Sequence, residues 1–368
     1  MPTGITICYL RTVSASLQRD DTEPGVRDPI QDETAADERL AKLRRMLERN
    51  RPYRDAEITP ASSDASFRRY FRVRTAAGSW VAMDAPPPME NCRPFIEIAG
   101  YLADMGLNAP RVLETNLDDG FLVLTDLGSR QYLAELQEHP EHAESLYRDA
   151  LAALVTMQRA GRPFQRKLPP YDEKLLRFEL SLFRDWLCGR HLGIEFDARL
   201  EREWQRTCDS LVANALRQAR VFVHRDYHSR NLMVTDENNP GILDFQDAVE
   251  GPFTYDLVSL LKDCYVRWPK ERVLGWAIGF FEATDASVHG GMSAAGFLRA
   301  FELMGVQRHL KAAGIFARLN HRDGKPGYML DIPRTLGYIV ELAGDHTELA
   351  ALVTLIEERV LPGLEAAA

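Results

Sequence analysis

The chain has 368 residues, 45% of them hydrophobic and 27% charged, an ordinary soluble composition with length enough for two lobes with sizeable cores. Its net charge of -9 argues against non-specific nucleic-acid binding, and no run approaches the roughly 18 apolar residues a membrane span needs. Five scattered cysteines (Cys8, Cys92, Cys188, Cys208 and Cys264) fit a reducing compartment, and the start lacks the basic region and cleavage site of a signal peptide, so a cytoplasmic protein without an obligatory protein partner is expected.

Residues 1–34 read as a flexible tail, polar, acidic and poor in large apolar side chains. "ERLAKLRRMLER" has apolar residues at helical spacing and predicts the first stable helix. From about 56 to 125 the pattern is strand-rich. "FRRYFRV" (67–73) and "SWVAMDA" (79–85) flank a glycine-containing turn and predict an antiparallel pair. A helix at about 93–105 follows, then the strands "APRVLETN" and "GFLVLTDLG" around the turn "LDDG". After a short hinge near 125–129 the chain turns helical, with periodic segments at about 130–138, 143–160, 172–189 and 198–217. Three short apolar runs, "VFVH", "NLMVT" and "ILDF", interrupt them, and "DENNPG" between the last two predicts a hairpin turn. Helices resume at about 255–267. The expected fold class is α+β: a tail over 1–34, a strand-rich nucleotide-binding N-lobe over 35–125 with one helix, and a larger, mainly helical C-lobe over 126–368. Two-lobed enzymes commonly place their site in the cleft.

The chemistry concentrates in "VFVHRDYHSRNLMV" (221–234). Phosphoryl transfer needs an acceptor hydroxyl held in line, a carboxylate to take its proton, and cations to neutralise the phosphates. Asp226 and Asn231 lie on a loop between two strand-like runs, which lets one face the acceptor and the other a metal. The following hairpin is expected to fold Asp244 of "ILDFQDA" back beside Asn231, giving an amide and a carboxylate oxygen of the kind hard Mg²⁺ prefers. His224 and His228 also raise a zinc reading, but the stretch is not helical and no third ligand stands nearby.

These motifs resemble the eukaryotic-like kinases: "HRDYHSRN" looks like their catalytic loop and "DFQ" like their Asp-Phe-Gly motif. "EGPFTYDLVSLL" is similar to the segment that follows in the aminoglycoside phosphotransferase and choline kinase branch. "DASFRRYFRV", "MDAPP", "HRDYHSRNLM" and "GILDFQDA" together resemble, more narrowly, the bacterial anomeric kinases of N-acetylmuramate and N-acetylglucosamine. The resemblance implies a protein-kinase-like two-lobed fold, ATP and Mg²⁺, and transfer to the anomeric hydroxyl of an amino sugar in cell-wall recycling. It assigns Asp226 as the base, Asn231 and Asp244 to the metal, and His224 and Asp256 to support of the loop.

The nucleotide end departs from the kinase pattern. "SSDASFRRY" has no glycine, so Ser62, Ser63 and Ser66 are the candidates to approach phosphate. The third strand carries Met83 and Asp84 where a lysine is expected, and no lysine occurs between residues 43 and 166. Among Arg68, Arg69 and Arg72, Arg69 is taken as the replacement cation, and Glu97 is left to pair with an arginine or face solvent. Adenine would meet backbone groups near Thr125 and Leu127.

For the acceptor, residues 304–334 hold six Lys or Arg against two Asp, a balance unsuited to a polycationic aminoglycoside. An amino sugar with an N-acetyl or lactyl group fits better, with Arg308 or Lys311 meeting the lactyl carboxylate. Tyr227, His228, Arg230, Gln246, Asp247 and Glu179 are further candidate sugar contacts. A kinase of another small alcohol (aminoglycoside, choline or homoserine), a non-catalytic ATP-binding regulator and a zinc hydrolase are the alternatives.

Overall fold

A computed structural model describes residues 29–63, 67–342 and 344–367. Ser66 and residues 1–28 lie outside the described residues. The chain divides into two compact units: the described residues up to Arg130 with Thr235–Asp247, and Gln131–Val234 with Ala248 onward.

The first unit opens with α1 (Pro29–Glu48), which starts earlier than the sequence pattern predicts. Proline is tolerated in a first helical turn, and the run "ETAADE" is rich in helix formers, so residues 29–34 are helical rather than tail. Strands β1 (Glu57–Ser63), β2 (Arg69–Thr75) and β3 (Gly78–Asp84) precede α2 (Arg93–Asp104), and β4 (Val112–Asn116) and β5 (Phe121–Thr125) follow it. They form one antiparallel sheet in the order β1-β2-β3-β5-β4. The strand alternation explains its packing. Phe71 and Val73 of β2, Ala82 of β3, and Phe121 and Val123 of β5 form one buried cluster with Leu43 and Leu47 of α1. Leu43 and Leu47 are four residues apart on α1 and so share a face.

The second unit is mainly helical. It contains α3 (Tyr132–Glu138), α4 (Ala143–Ala160), α5 (Arg162–Gln165) and α6 (Glu173–Leu182), which runs on as a π-helical stretch over Phe183–His191. Then come α7 (Ala198–Arg217) and β6 (Arg220–Val223). After the loop lie β7 (Leu232–Met233) and, in the first unit, β8 (Gly241–Ile242). The second unit resumes with β9 (Val249–Pro252), α8 (Tyr255–Leu261), α9 (Lys270–Ala283), α10 (Ala286–His289), α11 (Ala294–Asp323), α12 (Ile332–Val340), α13 (Ala350–Leu355) and α14 (Leu361–Ala367).

The 30-residue α11 is buried on nearly every side from Phe297 to Leu319 and packs on α6, α7, α8 and α12. At Gly314 the approach is so close that a Cβ would stand 2.3 Å from the carbonyl carbon of Leu182, where α6 gives way to the π-helical stretch. Strand β6 pairs antiparallel with β9, Val221 opposite Gly251 and Val223 opposite Val249. This pair anchors the segment that leads into His224. Its partner strand, "VEGP", escapes a reading by pattern because glycine and proline weaken the strand signal.

Candidate active site

The loop after β6 is pinned residue by residue within the second unit. The Asp256 carboxylate, at the start of α8, accepts from the backbone N–H of His224 at 2.7 Å and of Arg225 at 2.9 Å. His224 Nδ1 accepts from the Asp226 amide at 3.3 Å. Ser259 Oγ donates to Arg225 O at 3.2 Å, and Asn231 Nδ2 donates to Asp226 O at 3.0 Å. Asp263 holds the other end, its Oδ2 accepting from Ser229 N at 3.0 Å and Ser229 Oγ at 2.5 Å. Gln131 Nε2 caps Arg230 O at 2.7 Å. Burial pushes the Asp256 carboxyl up to about 7, against the pull of its two amide donors. It pushes Asp263 up as well. A loop whose backbone groups are this fully accounted for holds Asp226 in one place.

Arg225 takes a left-handed backbone conformation, φ +80°, which favours glycine. Its side chain is wholly buried and donates to the Glu179 carboxylate, also wholly buried. Glu179 further accepts from the Tyr171 hydroxyl and pairs with Lys311 Nζ at 3.4 Å. Lys311 Nζ donates to the Tyr255 hydroxyl at 2.8 Å. Burial disfavours the Glu179 charge, but Lys311 and Arg225 outweigh it and hold the carboxyl below its ordinary range. Glu179 and Lys311, offered by the sequence as sugar contacts, are thus engaged with each other, and with Arg225 and Tyr255 respectively. Tyr227 is likewise interior, fully buried with its hydroxyl donating to Ala150 O at 2.9 Å.

Asp226 is 3% exposed and its Oδ1 has no hydrogen-bond partner among the described residues. His228 is fully buried, and neither ring nitrogen has a partner there. Burial, with the charges of Arg308 and Arg230 adding, holds the His228 imidazole well below its usual value, so it is neutral. Arg308, from α11, is 3% exposed and among the described residues makes one hydrogen bond, to Cys264 Sγ at 3.8 Å. Burial works against its charge, but Cys264, Tyr255, Asp226 and Asp263 outweigh that and hold it protonated. Arg230 stacks on Tyr265, 3.8 Å from the ring centroid, and reaches toward Tyr328 at 5.8 Å. Sequence reasoning missed Tyr265, Tyr328 and Asp263, which follow no motif.

The residues predicted for the nucleotide lie in the first unit. Ser62 and Ser63 belong to β1, opposite Tyr70 and Arg69. Arg69 faces Asp84 across β2 and β3, and its Nε donates to Asp84 Oδ2 at 3.0 Å. Arg39 of α1 takes Asp84 Oδ1 at 2.8 Å. The buried Asp84 thus sits between two guanidinium groups and leaves a net charge of about +1 at the strand-three position. Arg68 pairs with Glu90 at 3.2 Å, Arg72 with Asp126 at 2.8 Å, and Glu97 accepts from the Tyr101 hydroxyl. The Thr125 amide already donates to Arg111 O at 3.0 Å, so that N–H is spoken for, while Leu127 stands past the end of β5. Asp244 has φ +65°, and its Oδ1 accepts from Gln246 Nε2 at 2.6 Å; Asp247 follows, partly buried.

The donor chemistry suits Mg²⁺. Asn231 Nδ2 is tied to the loop, which fixes the amide so that its oxygen is the end presented elsewhere, and Asp244 offers carboxylate oxygens. Among the described residues no group of three or more His, Cys, Asp or Glu is gathered to hold a metal such as zinc.

The profile of the phosphotransferase enzyme family matches residues 57–297. The N-acetylmuramate/N-acetylglucosamine kinase of Pseudomonas aeruginosa is 52% identical over 302 residues, 82% of this chain and 88% of that protein. Proteins of the same name from Pseudomonas putida and Neisseria meningitidis are 50% and 44% identical, covering 88% and 96% of their own length and 82% and 88% of this chain. An ADP-bound aminoglycoside phosphotransferase structure aligns with TM-score 0.52 at 13% identity over 82% of this chain and 97% of that one. The gentamicin complex of a related enzyme reaches 0.56, also at 13% identity, over 80% and 95%. These likenesses carry the protein-kinase-like α+β fold. The chain belongs to the phosphotransferase enzyme family.

Proposed function

We propose that this chain is an ATP-dependent kinase of the anomeric hydroxyl of N-acetylmuramate and N-acetylglucosamine, giving the sugar 1-phosphate in cytoplasmic cell-wall recycling. The observation that carries the reading is the set of relatives bearing that name, matched over more than four-fifths of this chain. The rigid loop that leaves one Asp226 oxygen open is consistent with it. No helix among the described residues is long and apolar enough to cross a membrane, and the four described cysteines are free, which suits a reducing compartment.

Asp226 takes the anomeric hydroxyl as a hydrogen-bond donor and accepts its proton as the new O–P bond forms and the bond to ADP breaks. An anomeric hydroxyl is more acidic than an ordinary alcohol, so a carboxylate serves as base. Asn231 and Asp244 are the residues that would hold Mg²⁺, which would supply neutralisation of charge on the phosphates. Arg69, with Leu127 and the backbone of Ser62 and Ser63, serves the nucleotide. His228, Arg230, Arg308, Gln246 and Asp247 serve the sugar, while His224, Asp256 and Glu179 position the loop.

The test is Asp226→Asn. It should lower kcat at least 1,000-fold, by loss of the base, while ATP binding measured by calorimetry stays within about twofold. Near-wild-type turnover removes Asp226 from the mechanism.

A further inference from the structure

Three polar groups at and beside the proposed catalytic base are buried and short of partners among the described residues. They are Asp226 Oδ1, both ring nitrogens of His228, and the Arg308 guanidinium with its single weak contact to Cys264 Sγ. Buried polar groups are almost always satisfied, and a buried arginine without a carboxylate is costly to keep. The neighbouring charges show the contrast. Asp263 is filled by Ser229 and Tyr265, and Glu179 by Tyr171, Arg225 and Lys311. Arg308 meets Cys264, whose neighbour Tyr265 has its ring centroid 5.5 Å from that of His228 and whose other neighbour, Asp263, bonds Ser229 next to His228. The unmet groups together offer guanidinium donors, a neutral imidazole with one donor and one acceptor nitrogen, and one carboxylate acceptor.

We propose that Arg308 and His228 form the subsite for the 2-acetamido group of the acceptor sugar, Arg308 donating to its carbonyl oxygen and His228 accepting from its N–H. This inference rests on the reading of the chain as an amino-sugar 1-kinase and names the group that the site selects. An acetamido group has one acceptor and one donor, the complement of what the two side chains offer. It sits on the carbon next to the anomeric carbon, so it falls beside the hydroxyl bound to Asp226. The lactyl group is one carbon further away and occurs in only one of the two sugars. A buried guanidinium dedicated to the lactyl carboxylate would be left unpaired whenever N-acetylglucosamine bound, and a site that strands a buried charge rejects that ligand. Recognition of the shared group avoids this.

The experiment is steady-state kinetics of the full chain with ATP and three acceptors: N-acetylglucosamine, N-acetylmuramate and glucose, which has a hydroxyl in place of the acetamido group. The wild type should prefer N-acetylglucosamine to glucose by about 100-fold or more in kcat/KM. Arg308→Gln should cut kcat/KM for both amino sugars by a similar factor, about 100-fold, and collapse the preference over glucose to within about tenfold. Arg308→Lys, which keeps charge but loses the planar fork, should fall between the two. His228→Phe should reduce the same preference. A loss confined to N-acetylmuramate would assign Arg308 to the carboxylate and overturn the proposal. An equal loss on glucose would make Arg308 a support of the base and also overturn it. Should the variants fail to fold, the wild-type series decides: turnover of the amino sugars without preference over glucose rejects the acetamido subsite alone. A wild type that phosphorylates neither amino sugar rejects the kinase reading beneath it.

Discussion

Arg225 donates to Glu179, 46 residues away in sequence, with neither side chain exposed. The pair answers how a non-glycine residue occupies φ +80° beside Asp226. A left-handed L-residue costs about 1–2 kcal/mol, and here the Asp256 carboxylate on the backbone and Glu179 on the side chain offset that cost. Glu179→Gln removes the buried carboxylate that pairs with both Arg225 and Lys311. It should destabilise the fold by about 3–5 kcal/mol and lower kcat with it. Arg225→Gly should cost less, because the backbone strain is relieved and Glu179 keeps Lys311 and Tyr171. Urea unfolding midpoints of the two variants check this. The reverse order, or an unchanged midpoint for Glu179→Gln, contradicts it.

Gly314 is where α11 crosses α6 without room for a methyl group. A Cβ there would stand 2.3 Å from the Leu182 carbonyl carbon and 2.4 Å from Phe183 N, and backbone atoms cannot swing aside. Gly314→Ala should therefore cost about 3 kcal/mol, the upper end for overpacking, although alanine is the better helix former. A thermal midpoint equal to the wild type's, or higher, contradicts the packing described.

Acid should unfold the protein partly through its buried histidines. His309 Nε2 donates to Lys262 O at 2.8 Å, and the ring stacks on Tyr338 with centroids 4.8 Å apart. Burial holds its pKa down to about 3, and burial also depresses His228. A folded-state value below the unfolded one means the contribution is complete above pH about 6.5. It is lost as the pH falls from there toward 3. His309 adds a slope of about 1.4 kcal/mol per pH unit within that window. His309→Gln should flatten the fall in stability between pH 6 and 4 by that amount, measured by urea unfolding at several pH values. Parallel slopes for variant and wild type are the contrary result.

In the proposed reading Arg69 stands in for the lysine that the third strand lacks. It shares Asp84 with Arg39, and its side chain remains 32% exposed. Arg69→Ala should raise KM for ATP about tenfold, equivalent to about 1.4 kcal/mol, with KM for the sugar nearly unchanged. Arg39→Ala, further from solvent, should act on stability instead. An unaltered KM for ATP in Arg69→Ala sends the search for the cation elsewhere.

Much of this was legible in sequence where local pattern determines structure. Four of the five strands and α2 followed from alternation and turn residues, and the loop from the spacing of Asp226 and Asn231. What was not legible depends on distant partners. Glu179 looks like any helix glutamate until α11 brings Lys311 to it and the loop brings Arg225. Tyr227 looked like a sugar contact because of its neighbours, but the loop turns its ring into the interior toward α4. Lys311 and Arg308 lie three residues apart on α11, nearly on one face, yet only Lys311 meets a carboxylate at ion-pair distance among the described residues. Charge counts over 304–334 suggested a basic wall, whereas burial decides which of those charges is satisfied.

The most direct measurement is the position of phosphate on the product formed from ATP, Mg²⁺ and N-acetylmuramate or N-acetylglucosamine. With Asp226 holding the anomeric hydroxyl, the product is an acid-labile phosphate ester at C1, identified by phosphorus–proton coupling to the anomeric proton. Phosphate at C6, or no phosphosugar at all, contradicts the assignment.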